Sequence, residues 1–175
     1  RAAAALLPRL AALRERHADD GALLRLQCSL MLRLDPTGAA GDVDRWYVEP
    51  RLLGRVRARP PAPVYLLHIP KCGGTSLAHA LSMAVYGAPL AAVLPGYPHL
   101  HLLRHCAAQR GAEIPFLTSS HVDLATIDPD PAMRMIAVFR DPLRRLLSMY
   151  RQFAASHRRG YHLLRLPRYG TSWDY

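Results

Sequence analysis

Two short segments and one histidine between them hold the residues best suited to chemistry. The first segment reads His68-Ile69-Pro70-Lys71-Cys72-Gly73-Gly74-Thr75-Ser76. Paired glycines permit a sharp turn and a close approach of backbone to ligand. Where a helix starts at such a turn, its first amides and its dipole favour an anion. Thr75 and Ser76 add hydroxyl donors, and Lys71 adds a mobile point charge. The chemistry these residues suit is the holding of a phosphate or sulfate group. The plainer alternative is a tight strand-to-helix turn with incidental polar residues. Lys71 precedes the glycines, whereas a nucleoside-triphosphate loop of the GxxxxGK[ST] type places lysine after them. The usual pairing of that lysine with a magnesium-binding hydroxyl is therefore absent, which disfavours an ATPase or kinase.

The second segment is Arg140-Asp141-Pro142, followed by Ser148. Asp before Pro is a favourable pairing for the first positions of a helix. On a helical wheel Leu143, Leu146, Leu147, Tyr150, Phe153 and Ala154 share one half. Arg144, Arg145, Ser148, Arg151 and Gln152 share the other. Ser148 falls within about 20° of Asp141, so both face one side. A guanidinium fork suits a phosphate, which singles out Arg140 at a strand end. Arg144, Arg145 and Arg151 read as a solvated face. Among nine histidines, His121 follows a short apolar run and lies between the two segments. His68 sits on a predicted buried strand and reads as structural. His99, His101 and His105 have helical spacing, but no carboxylate set completes a metal site beside them.

The first segment closely resembles the 5′-phosphosulfate loop of sulfotransferases that use 3′-phosphoadenosine 5′-phosphosulfate (PAPS). It looks most like the glycan O-sulfotransferases of the heparan sulfate 2-O-sulfotransferase group. Arg140, Asp141 and Pro142, with Ser148 beyond, resemble their 3′-phosphate motif. Ser119-Ser120-His121-Val122 resembles, with different flanks, the segment that carries their catalytic base. The resemblance covers roughly residues 64–160. It implies Lys71, Cys72, Gly73, Gly74, Thr75, Ser76, Arg140 and Ser148 as donor-binding residues. It implies His121 and Lys71 as catalytic, and PAPS as donor with no metal. The implied partners are a nucleotide donor and a hydroxyl acceptor of the glycan kind. A P-loop nucleotide kinase and a non-catalytic anion- or glycan-binding module are the alternatives.

Elements must bring these residues together. Residues 64–68, 116–118 and 133–139 read as strands, the first and last of them buried. Helices are predicted over 75–86, 99–110 and 142–157. Strand and helix in alternation imply a parallel sheet with crossover helices, an α/β fold that is P-loop-like and incomplete at its C-terminal side. Ligands in such sheets bind beyond the carboxyl ends of strands, where both segments fall. Residues 1–59 read as an α-helical segment, with apolar spacing at Leu6, Leu10 and Leu13 and again at Leu23, Leu26, Leu30 and Leu34. A weaker helix is predicted over 45–57. Residues 60–63 form a Pro-rich linker, and 64–175 form the sulfotransferase-like domain. Residues 160–175, with Tyr161, Arg165 and Trp173, are a candidate acceptor cleft or a tail.

The 175 residues suffice for one domain with a modest core. Half are apolar, which excludes a disordered or fibrous class. The formal charge of +10 suits an anionic partner or a solvated arginine surface. Of 23 basic residues, Lys71 alone is lysine; a GC-rich coding bias explains the arginines and not this exception. No RNP, finger or helix-turn-helix pattern points to nucleic acid. No apolar stretch reaches the length of a membrane span. Cys28, Cys72 and Cys106 form neither a disulfide framework nor a metal pair. That usage suits a reducing, cytoplasmic compartment; an anchor before Arg1 would instead imply the Golgi lumen.

Overall fold

The computed structural model describes residues 2–17, 20–95, 98–119 and 121–158. Two helices come first, α1 (Ala2–Arg16) and α2 (Gly21–Leu34). Asp20 caps α2 by accepting from the amides of Ala22 and Leu23 at 2.8 and 3.2 Å. Asp35 ends it and also accepts from the Gly38 amide at 2.9 Å. The weaker helix expected over 45–57 takes another form. A short α3 (Ala40–Val43) runs into a π-helical stretch, Asp44–Leu52, closed by a 3-10 turn, Leu53–Arg55. Pro50 lies inside that stretch. It has no amide to give to an ordinary helical turn, and widened turns tolerate the gap.

Beyond the Pro-rich segment come β1 (Val64–Leu67), α4 (Gly74–Tyr86), α5 (Leu90–Val93), α6 (Leu100–Gln109) and β2 (Phe116–Thr118). They are followed by α7 (Leu124–Ile127), β3 (Arg134–Ala137) and α8 (Pro142–Arg158). The three strands form a parallel sheet in the order β2-β1-β3. Val64 of β1 stands opposite Phe116 on one side and Arg134 on the other. The chain leaves β1 first toward β2 and later returns on the opposite side as β3. That reversal opens a crevice at the carboxyl ends of β1 and β3. The coarse α/β class expected from sequence is present.

The core is one apolar cluster that joins both sides of the Pro-rich segment. Tyr47 and Leu52 from the π-helical stretch pack in it with Tyr65, Tyr86, Leu102 and Phe116. Buried Tyr86 donates its hydroxyl to the Phe116 carbonyl at 2.6 Å, which ties α4 to β2. Arg110 bridges Asp44, Glu49 and Glu113 at 2.6–3.0 Å and so ties the end of α6 to the π-helical stretch. All three cysteines are buried and none is in a disulfide.

One expectation is corrected. The strand near 133–139 reads as buried, yet Arg134, Met135 and Ile136 of β3 are exposed. β3 is an outer strand of the sheet, paired on one side only. The apolar half of α8 shares this exposure: Leu143 is 71 % exposed and Tyr150 68 %. Apolarity in the sequence marks what needs cover; it does not supply the cover.

Candidate functional site: an anion cradle at the carboxyl ends of the strands

Between β1 and α4 the backbone makes two left-handed turns. Lys71 has φ +62° and Gly73 has φ +89°. Gly73 is the cap of α4, and its carbonyl accepts from Leu77 at 3.3 Å as the helix starts. The amides of the first turn therefore point beyond the helix toward the strand ends, with no helical carbonyl to meet. Gly74 is required for space. A Cβ there would come within 2.1 Å of the His68 ring.

His68 is 4 % exposed, and its Nε2 lies 3.2 Å from Thr75 Oγ1. Its other neighbour is His121, with ring centroids 4.8 Å apart and planes inclined at 53°. His121 also has φ +62°, a conformation that costs a non-glycine residue about 1–2 kcal/mol. It lies shortly beyond the end of β2 and beyond the buried Ser119, whose hydroxyl accepts from the His68 amide at 3.3 Å. Burial, the neighbouring His68 and the Lys71 ammonium lower the pKa of His121 to about 4. Burial lowers that of His68 as well. Both rings are neutral at neutral pH.

From the far side α8 reaches the loop. Asp141 caps the helix by accepting from the Arg144 amide at 2.9 Å. Arg140 donates to the Lys71 carbonyl at 3.4 Å, and Arg145 donates to the Pro70 carbonyl at 3.1 Å. These two bonds hold α8 against the cradle with its polar half inward. Its apolar half consequently faces away.

The result is a cavity of about 520 Å³. Lys71, Gly73, Gly74 and Thr75 line one wall, and Arg140 and Ser148 another. His121 and His68 close it between them, and Gln152, one turn beyond Ser148, also faces in. Six of the proposed donor-binding residues thus come together with the candidate base. Cys72 and Ser76 do not line the cavity. The Cys72 side chain is buried and its amide turns back to the Ile69 carbonyl, while Ser76 is exposed on the first turn of α4. Ser120 and residues 160–175 lie outside the described residues. Three contributors are not singled out by the sequence reading: His68, which reads as structural, Arg145, which reads as solvated, and Gln152. Gln152 follows Ser148 by four residues, a spacing that places both on one helical face.

A larger cavity of about 750 Å³ lies between α6 and the start of the π-helical stretch. Three of its ionisable groups are paired with one another: His105 meets Asp44 at 2.9 Å, and Arg110 meets Asp44 at 3.0 Å. The smaller cavity, which gathers the residues singled out from the sequence, is the candidate site. Among the described residues no group of three His, Cys, Asp or Glu is placed to hold a metal ion, and no helix is long and apolar enough to cross a membrane. No family model matches the chain, and neither a curated protein nor a solved structure does so.

Proposed function

We propose that the chain acts as a sulfotransferase, moving a sulfuryl group from PAPS to a hydroxyl of a carbohydrate acceptor. The observation that carries this reading is the convergence of Lys71, Thr75, His121, Arg140 and Ser148 on one cavity at the strand ends. The cavity volume of about 520 Å³ suits a small molecule with a few placed polar groups.

The reaction is an in-line displacement at sulfur. The acceptor oxygen forms a bond to sulfur as the bond from sulfur to the 5′-phosphate oxygen breaks. His121, neutral before the step, takes the hydroxyl proton. Lys71 offsets the negative charge that develops on the departing phosphate. The first-turn amides of α4 and the Thr75 hydroxyl hold the 5′-phosphate. Arg140 and Ser148 hold the 3′-phosphate and thereby select this donor over ATP.

The test pairs binding with transfer. Calorimetric titration with 3′,5′-adenosine bisphosphate is expected to show one site, weakened in Arg140→Ala. Transfer of labelled sulfate to a glycan acceptor is expected to fall about 100-fold or more in Lys71→Ala and in His121→Ala. Undiminished transfer in both variants overturns the assigned roles. Binding without transfer leaves a non-catalytic anion-binding module, and magnesium-dependent ATP turnover favours the kinase.

A further inference from the structure

Helix α8 is attached to the rest of the chain by one half only. Arg145 donates to the Pro70 carbonyl, and Arg140, just before the helix, to the Lys71 carbonyl. Ser148 and Gln152 face the cavity beside them. The opposite half is bare: Leu143, Leu146, Leu147 and Tyr150 are 71, 63, 55 and 68 % exposed. Phe139, shortly before the helix, is 80 % exposed. Among the described residues, none of α8 belongs to the apolar cluster. Yet an amphipathic helix draws most of its stability from burial of its apolar face.

Steps of 100° per residue set Leu146, Tyr150, Leu143 and Leu147 side by side across an arc of about 100°. Along the chain, Leu143 and Tyr150 lie equally far from the midpoint between Leu146 and Leu147. A two-fold axis through that midpoint lays the helix antiparallel on a second α8. Leu143 then meets Tyr150 of the copy, and Leu146 meets Leu147. The spacing is that of a seam in which side chains of one helix fill gaps in the other. The five exposed side chains present about 650 Å², more than the largest apolar patch of an ordinary monomer. Each partner in a standard interface gives about 800 Å². The stems of the exposed Arg144 and Arg151, which border the stripe, supply the remainder.

We infer that this face binds a second copy of the chain, with α8 antiparallel to its copy about a two-fold axis between Leu146 and Leu147. The inference does not depend on the donor-site reading. The polar half of each helix is turned away from the axis, so both cavities stay open. Arg144 and Arg151 lie on one border of the stripe, and the two-fold sets that border against its own copy. Like charges there oppose association, so salt strengthens the dimer by screening them. A partner held by opposite charge, such as an anionic lipid surface, is weakened by salt instead.

Sedimentation velocity of the whole 175-residue chain tests the pairing. A dimer is expected at micromolar concentration, and it is expected to tighten as salt rises. Leu146→Glu, at an exposed position, is expected to raise the dissociation constant about 100-fold or more with the circular dichroism spectrum unaltered. Cross-linking fixes the orientation, because Cys28, Cys72 and Cys106 are buried and an introduced surface thiol reacts first. On oxidation, Leu143→Cys mixed with Tyr150→Cys is expected to give a disulfide-linked dimer, and Leu143→Cys by itself none. A dimer indifferent to Leu146→Glu, a dimer that dissociates as salt rises, or self-linkage of Leu143→Cys overturns the inference. So does a monomer at every concentration. In that monomer, a Leu146→Cys thiol shielded from reagent assigns the face to other residues of the same chain. Salt-sensitive flotation with phosphatidylserine vesicles assigns it to a membrane.

Discussion

Gly73 and Gly74 are adjacent, yet they are glycine for different reasons. At Gly73 the backbone is left-handed and a Cβ would meet nothing within 4 Å. At Gly74 the position beside the His68 ring has no room for a Cβ. Gly74→Ala is expected to cost about 1–3 kcal/mol by overpacking and to displace His68 from Thr75. Gly73→Ala costs about 1–2 kcal/mol through φ and leaves His68 in place. Denaturant titration measures both costs, and the His68 ring shifts tell them apart. The sequence already marks this loop, because glycines, hydroxyls and a lysine after an apolar run can be read locally. It does not reveal His68 as part of the site. That role depends on a contact with His121, which is far along the chain.

At the scale of elements, α8 is attached to the site by its polar half. Arg145 reaches the Pro70 carbonyl from 75 positions away in the chain. The wheel that assigns Arg145 to solvent knows only its own helix, so this contact escapes it. Arg145→Ala removes one charge-assisted bond worth about 1.5 kcal/mol, so donor affinity is expected to fall about tenfold with the fold intact. Arg144→Ala, at an exposed neighbour, is expected to leave affinity unchanged. Equal effects by calorimetry would refute the role given to Arg145. Strands β1 and β2 and helices α4 and α6 are legible because apolar runs and helical spacing are bounded by glycine and proline. The π-helical stretch is not, since its widened turns depend on Pro50 and on packing against α6. Exposure of β3 is equally hidden, because a strand's own residues do not say what lies over it.

At the scale of the whole molecule, four histidines among the described residues have lowered pKa values: His68, His99, His101 and His121. Burial is the first cause in each, and neighbouring cations add to it at His99, His101 and His121. Below the ordinary histidine range of about 6.5 the unfolded chain binds protons that the folded chain refuses. Stability is therefore full above that range and is lost as pH falls toward the folded value, about 4 for His121. Urea midpoints are expected to drop between pH 7.5 and 5, and to drop less in His121→Gln. The buried thiols add a consequence of another kind. Cys28 and Cys106 lie in the core at 0 % and 2 % exposure, and Cys72 lies under the cradle loop at 7 %. A thiol reagent reaches the first two only when the fold opens globally, whereas local opening of one loop uncovers Cys72. The chain thus contains two clocks, and a bound anion that pins the loop slows the Cys72 clock alone.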